Sequence, residues 1–470
     1  MDAADLSETL NAHGEISTRT GATAALTFSV TYPKYRPGPL RAHGILTDDG
    51  RNPLEIGFPG VPGDTKVWGR LASGEILRLE PTNIESTRFP EAAFDLFCGE
   101  FTCGTESLLD FDDGQYVLEV AIPHVRVADT ASSEKKSYLG TIESTRAADD
   151  GIRWHSHLGE ALLADFYHFE RSSTQQGELI RIKETAIQLE SAITRPIEPP
   201  KLIKEIEQEI DDPLKVLSFI GRKILRWFEI RASFRPTEKD KYHPCTFIKR
   251  RHFLSGDTEA PEPLLTHREL VHGKFQQLVE NLRASSMGDW LRKAMAYYSS
   301  SYGSGSLEKR LAMTYLALEA LTTGFAQDQG VEQILAEAEA KTFSEQMRGS
   351  VRSFCKARGL EEEIERQLLA NINILGRASF KRKLKALVER TKIPTADLWP
   401  AGTKLSQGLH WMVDRRNKFI HEARIPWPPQ PLAKDMHRAQ AIVERAVLAL
   451  LGWESSQPGH FGYNWIRDPD

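Results

Sequence analysis

Trp411-Met412-Val413-Asp414-Arg415-Arg416-Asn417-Lys418-Phe419-Ile420-His421-Glu422 is the stretch that decides how this chain reads. With Leu409, the side chains of Met412, Val413, Phe419 and Ile420 supply an apolar stripe that can seat a helix in a bundle. Three polar groups ride on that helix: Arg416, Asn417 and, five positions after the arginine, His421. Arginine stays charged and presents a fork that matches phosphate geometry. Histidine is the side chain suited to moving a proton near neutral pH. Residues five apart on a straight α-helix stand about 140° apart around the axis and about 7.5 Å along it. Arg416 and His421 therefore border one pocket only if another element forms its far wall, or if the helix end is distorted. The bland alternative is a surface arginine and a histidine at a helix C-terminus, where a cation complements the macrodipole.

Outward from this helix, the chain reads as helical from about Met287 to Trp453. A first segment runs from Asp289 towards Ser299, and Ser306 can cap a second that continues to Phe325. The apolar face of the second includes Leu311, Tyr315, Leu318 and Leu321 or Thr322. Two further segments follow, Gln333 to Ala357 and the strongly charged Glu361 to Ile374. Phe380 to Arg390 is basic, with Lys381, Arg382, Lys383, Lys385 and Arg390. After the helix from about Leu405 to His421, a last one runs from Leu432 to Leu451.

The other end of the chain has strand periodicity. Leu26, Phe28, Val30 and Tyr32 share one face of Ala25 to Tyr32. Val67 to Leu71, Ile76 to Leu79, Tyr116 to Val127 and Ser137 to Ile142 look similar, and Ser73-Gly74 and Asp113-Gly114 are among the turn signals between them. Gly159 to Phe169 reads as a short helix, and Gly177 to Leu189 as a further strand. Pro196, Pro199 and Pro200 mark a boundary, after which Pro213 to Ala232 and Pro263 to Leu282 carry helical spacing. The expected class is α+β and multidomain. A β-rich domain, sandwich or barrel, spans residues 1–195, a helical connector 196–285 and an all-α bundle 286–470.

Composition agrees with a folded, soluble chain. Its 470 residues are 40% hydrophobic and 27% charged, with a mean hydropathy of -0.40. No run reaches the roughly 18 apolar residues of a membrane span, and the acidic N-terminus lacks the basic start of a secretory signal, so a cytoplasmic location is expected. Cys98, Cys103, Cys245 and Cys355 form no C-x-x-C and read as reduced thiols. The net charge of -5 is unevenly spread: Leu291 to Asp470 holds 26 Lys+Arg against 20 Asp+Glu, and the rest holds 34 against 45. A mildly basic end is what a phosphate backbone requires. His155-Ser156-His157 would put two imidazoles on one side of a strand, but no third ligand accompanies them. Neither a G-x-x-x-x-G-K-S/T loop nor a G-x-G-x-x-G after a strand is present. No metal or cofactor is expected.

Arg416-Asn417-x-x-x-His421 resembles the R-x4-6-H signature of HEPN domains, in which the residue after the arginine is usually Asn, Asp or His. More narrowly, the chain looks like the Apea-like HEPN group of bacterial antiphage nucleases. Tyr315-Leu316-Ala317-Leu318-Glu319-Ala320-Leu321 fits the helix that this group carries upstream, and Ser379-Phe380-Lys381-Arg382-Lys383-Leu384 the basic stretch between. The β-rich start looks like the accessory domain of those proteins. The resemblance covers residues 287–455 and, less specifically, 1–195. It implies an endoribonuclease that needs no metal, in a homodimer whose two motifs face each other across one cleft. Arg416, His421 and Asn417 would be the catalytic residues, with Glu319 in support.

That chemistry suits the residues. Transesterification uses the ribose 2′-OH as an internal nucleophile, so DNA would resist. Lys381, Arg382, Lys383, Lys385, Arg415 and Lys418 are candidates to track the RNA backbone, with a solvated basic face as the alternative. Transfer RNA, with its unstacked anticodon loop, is a candidate target, and a phage-derived trigger a candidate regulator. The main competing reading is a non-catalytic HEPN scaffold whose β domain senses a ligand. A third, a β-sandwich carbohydrate binder with a helical dimerisation tail, lacks clustered aromatics.

Overall fold

The computed structural model describes residues 7–18, 23–34, 36–47, 65–88, 93–105, 114–125, 133–134, 144–145, 151–171, 179–191, 193–194, 197–236, 245–253, 262–303, 305–422 and 429–453. It divides into two compact units, Met1–Gln276 and Gln277–Asp470. The first is β-rich and the second helical, as expected.

The first unit opens with β1 (Ser7–Thr18), β2 (Thr23–Pro33), β3 (Arg41–Leu46), β4 (Thr65–Leu71), β5 (Ile76–Arg88) and β6 (Ala93–Gly104). The antiparallel pairings β1–β2, β2–β3, β3–β6, β6–β5, β5–β4 and β4–β1 close a ring. The choice between sandwich and barrel thus falls, for these strands, on a six-stranded barrel. Its interior holds the alternating set read from the sequence, Leu26, Phe28, Val30 and Tyr32, with Ile16, Val67, Leu79, Cys98 and Phe101. Gly14 and Gly69 stand opposite each other where β1 meets β4. A Cβ on Gly69 would lie 2.7 Å from the His13 carbonyl oxygen, so the ring closes there only without a side chain.

The last residues of β6 also pair with β14 (Cys245–Arg251), and the sheet runs on through β13 (Glu229–Pro236), β7 (Gly114–Ile122), β12 (Leu179–Ser191), β11 (Gly159–Arg171) and β10 (Ile152–Ser156). A separate two-residue pair joins β8 (Ser133–Glu134) to β9 (Ser144–Thr145). Helix α1 (Pro199–Ile220) crosses this extension. Its Glu209 meets His157 at the β10–β11 turn (2.8 Å), and its Glu207 meets Lys249 on β14 (3.1 Å). The expected strand at Ser137 to Ile142 lies outside the described residues.

Two expectations are corrected. Gly159 to Phe169 is strand, because Ala161, Leu162, Leu163 and Ala164 are all buried: a strand covered on both faces has the continuous apolar run of a buried helix. The stretch 196–285 is not a helical connector. Pro199 and Pro200 start α1, Pro199 fitting the first turn where no N–H is needed, Pro196 lies outside the described residues, and Glu229–Pro236 and Cys245–Arg251 complete the sheet. Strands on both sides of Pro196 share that sheet, so no domain boundary lies there.

Arg250 binds barrel and extension together. It is fully buried, ion-paired to Glu229 and donating to the carbonyls of Pro33 and Arg36 (2.6 Å to the latter), with its guanidinium over the Tyr32 and Phe228 rings.

The first unit ends with the short α2 (His267–Leu270) and the first residues of α3 (Lys274–Ala284); the second continues from α3 through α4 (Gly288–Ser301), α5 (Leu307–Asp328), α6 (Glu337–Arg358), α7 (Glu362–Leu375), α8 (Phe380–Arg390), α9 (Leu405–Glu422) and α10 (Gln430–Leu450). Ser306 caps α5 by accepting from the Lys309 N–H, as expected. Residues 438–448 of α10 are buried on every side, which makes it the central helix. It packs on α4, α5, α8 and α9, whereas α6 and α7 form a hairpin in which Cys355 is the buried residue of α6. Among the described residues no helix is long and apolar enough to cross a membrane.

Two outcomes follow. Arg250→Met should lower the unfolding free energy of the first unit by about 3 kcal/mol in urea, since it leaves Glu229 buried with half its charge partners. Cys98 and Cys103 are free thiols, pushed by burial from 9.0 up to about 12. In the folded protein they should stay inert to a thiol reagent at pH 8. The unfolded chain releases those protons first, so stability should fall as pH rises from 9.0 towards 12.

Candidate active site on the arginine helix

Helix α9 is seated by Leu409 and Met412, both fully buried, and by Gly408, where a Cβ would run into the Trp399 indole. The Tyr315 hydroxyl of α5 donates to the Met412 carbonyl across 3.4 Å. Burial raises the Tyr315 pKa, and the Asp435 charge adds to the rise. This tyrosine is therefore a neutral donor at any physiological pH.

The two consecutive arginines of α9 have different surroundings. Arg415 points to α10, its Nε 3.0 Å from the Asp435 carboxylate, which Arg438 approaches from the other side at 2.8 Å. Arg416, about 100° further round, leaves α10 for α5 and α8. Its guanidinium forms an ion pair with Glu319 of α5, donates to Asn417 Oδ1 across 3.0 Å and lies 5.3 Å above the Phe380 ring at the start of α8. The Arg416 side chain is 15% exposed and that of Glu319 38%, so the pair lies at the surface with the arginine sunk beneath it. Burial lowers the arginine's pKa, and the Tyr315 hydroxyl opposes that shift. Its Nε is buried and makes no hydrogen bond among the described residues.

Three of the residues read from the sequence thus meet: Arg416, Asn417 and Glu319. His421 lies in the last turn of α9, with helix continuing through both motif positions; its side chain is outside the described residues. Lys381, Arg382 and Lys383 occupy the first turn of α8, next to Phe380, and Ser379 caps that turn by accepting from the Arg382 N–H. Among the described residues no carboxylate pairs with these three cations. Lys385 pairs with Glu389 (3.6 Å) and Lys418 with Asp414 (2.9 Å), which holds the Asp414 carboxyl below its usual range. Both are ordinary i,i+4 pairs on helix surfaces. Arg415 is committed to a buried carboxylate, a role that its sequence neighbours did not signal.

Sequence reasoning also missed Phe380 and the Tyr315 hydroxyl as neighbours of the site. Each sits in a stretch singled out for other reasons. The only signal was that both are aromatic next to a polar position, which is common in any core. Searches for matching protein families, for related curated proteins and for similar solved structures found no match.

The adjacent arginines should separate on unfolding. Arg415→Ala removes a charge partner from the buried Asp435 and should cost about 3 kcal/mol. Arg416→Ala breaks a pair at the surface and should cost about 1 kcal/mol or less. Thermal or urea unfolding of the two variants checks this.

Proposed function

We propose that the chain is a HEPN endoribonuclease of bacterial antiphage defence, cleaving RNA by attack of the ribose 2′-OH without a metal. The observation that carries the reading is the setting of Arg416: a half-buried guanidinium held on three sides, five residues before a histidine on the same helix, beside the basic first turn of α8. A cation held in place costs no reorganisation when charge develops on the phosphorus.

In this reading His421 handles the proton. The 2′-oxygen bonds to phosphorus as the bond from phosphorus to the 5′-oxygen breaks, and the 2′-OH proton ends on the departing 5′-oxygen. The products are a 2′,3′-cyclic phosphate and a 5′-hydroxyl. Arg416 stabilises the charged phosphorane, while Glu319, Asn417 and Phe380 hold the guanidinium. Lys381, Arg382 and Lys383 meet the RNA backbone. Transfer RNA is the first candidate substrate, and the β-rich unit is assigned the sensing of a phage-derived trigger, which a lethal ribonuclease requires. The cytoplasm, where that RNA is found, is the proposed location.

A second reading draws on the same pair. An arginine already neutralised by Glu319 can serve as a strut in a non-catalytic scaffold.

Purified wild type, Arg416→Ala and His421→Ala incubated with total bacterial RNA in excess EDTA separate the two. The nuclease reading expects cyclic-phosphate ends from wild type, with rates about 10²–10⁴-fold lower in the variants. Equal cleavage by all three, or no cleavage by wild type even with a lysate of phage-infected cells supplied as the trigger, favours the scaffold.

A further inference from the structure

The hairpin of α6 and α7 opens at one end into a cavity of about 620 Å³, within the roughly 300–1,000 Å³ of small-molecule sites. The first turns of α6 line one side of it, the end of α7 and the residues that follow another, and residues from 330–335 a third. Space remains because Ala340 and Ser344 of α6 and Gly376 after α7 have little or no side chain to fill it. Leu335, Phe343 and Ile372 supply apolar walls, and Gln333, Glu337, Lys341 and Arg377 polar ones.

The backbone of Arg377 is pinned. It stands opposite Gln333 in an antiparallel bridge. The Ile334 N–H donates to the Gly376 carbonyl across 2.8 Å, and the Ala378 N–H to the Glu332 carbonyl across 2.7 Å. These bonds flank the pair, so Gln333 and Arg377 form the close, non-hydrogen-bonded kind of pair, whose side chains stand together on one side. Among the described residues no carboxylate pairs with Arg377 or with Lys341.

We propose that this cavity binds a nucleoside phosphate. The chemistry of the lining selects the class. An acyl chain would strip water from Gln333 and Glu337 and return no hydrogen bonds. A bare phosphate would meet the two cations and leave Leu335, Phe343 and Ile372 uncovered. A nucleotide uses every wall. Its base lies against the Phe343 ring, its ribose hydroxyls donate to Glu337, and its phosphate accepts from Arg377, Lys341 and the Gln333 amide. Neither Arg416 nor Glu319, Asn417 or Phe380 lines the cavity. The readout is binding rather than cleavage, so the site stands or falls separately from the nuclease reading.

Calorimetric titration of the full chain in EDTA with each of the four ribonucleoside 5′-monophosphates tests it. At least one should bind, with one site per chain. The matching nucleoside and inorganic phosphate should each bind at least about tenfold more weakly. Arg377→Ala, at an exposed position, should weaken binding about 10–100-fold. Ala340→Phe, which puts a ring into the space, should abolish it, with an unchanged helical circular dichroism signal. Arg366→Ala, on the same hairpin but paired with Glu363 away from the cavity, should bind as wild type does. Three results would overturn the assignment: no binding of any of the four, binding that Arg377→Ala or a folded Ala340→Phe leaves unchanged, or binding that Arg416→Ala abolishes.

Discussion

Asp435, fully buried on the central helix α10, stands between the guanidinium groups of Arg415 and Arg438. A carboxylate taken out of water is tolerated only beside charge partners. Together with the buried Leu409 and Met412, the closeness of Arg415 to Asp435 holds the rotation of α9 about its own axis. With Arg415 there, the next residue is turned about 100° away, and Arg416 comes to Glu319 and Phe380. The half-buried pair that defines the candidate site is in this sense a consequence of the one at Asp435.

The cradle around Arg416 draws on three helices, so its geometry depends on the packing of the whole unit rather than on the motif. Glu319 binds one end of the guanidinium, Asn417 accepts from it and Phe380 covers its face. Each contact restricts a side chain that would otherwise sample many rotamers, which is the ordering that phosphate recognition would need in advance. Ser379 accepts from the Arg382 N–H, and the start of α8 presents the side-chain cations Lys381, Arg382 and Lys383 to the same neighbourhood.

Much of this was legible in residue spacing. The alternation of Leu26, Phe28, Val30 and Tyr32 marked one wall of the barrel, and Ser306 marked the start of α5. Glu319 was placed beside Arg416 by its position in a helix that resembles a known one. What escaped had physical causes. Residues 161–165 of β11 are buried on both faces and so lost their alternation. Strands β13 and β14 join the sheet across a long separation in sequence, which local periodicity cannot register. Pro199 and Pro200, read as part of a linker, start a helix instead. Arg415 and Arg416 are identical as letters, and only the partner that each meets, a buried aspartate or a surface glutamate, tells them apart.

The central claim is that the arginine helix serves a reaction on the ribose 2′-oxygen. The most direct measurement is single-turnover cleavage, in EDTA, of a DNA oligonucleotide carrying one ribonucleotide. The account predicts a single cut on the 3′ side of that ribose, leaving a 2′,3′-cyclic phosphate, with the cut abolished by Arg416→Ala. Cleavage at deoxynucleotide positions, or a cut that Arg416→Ala leaves unchanged, would contradict it.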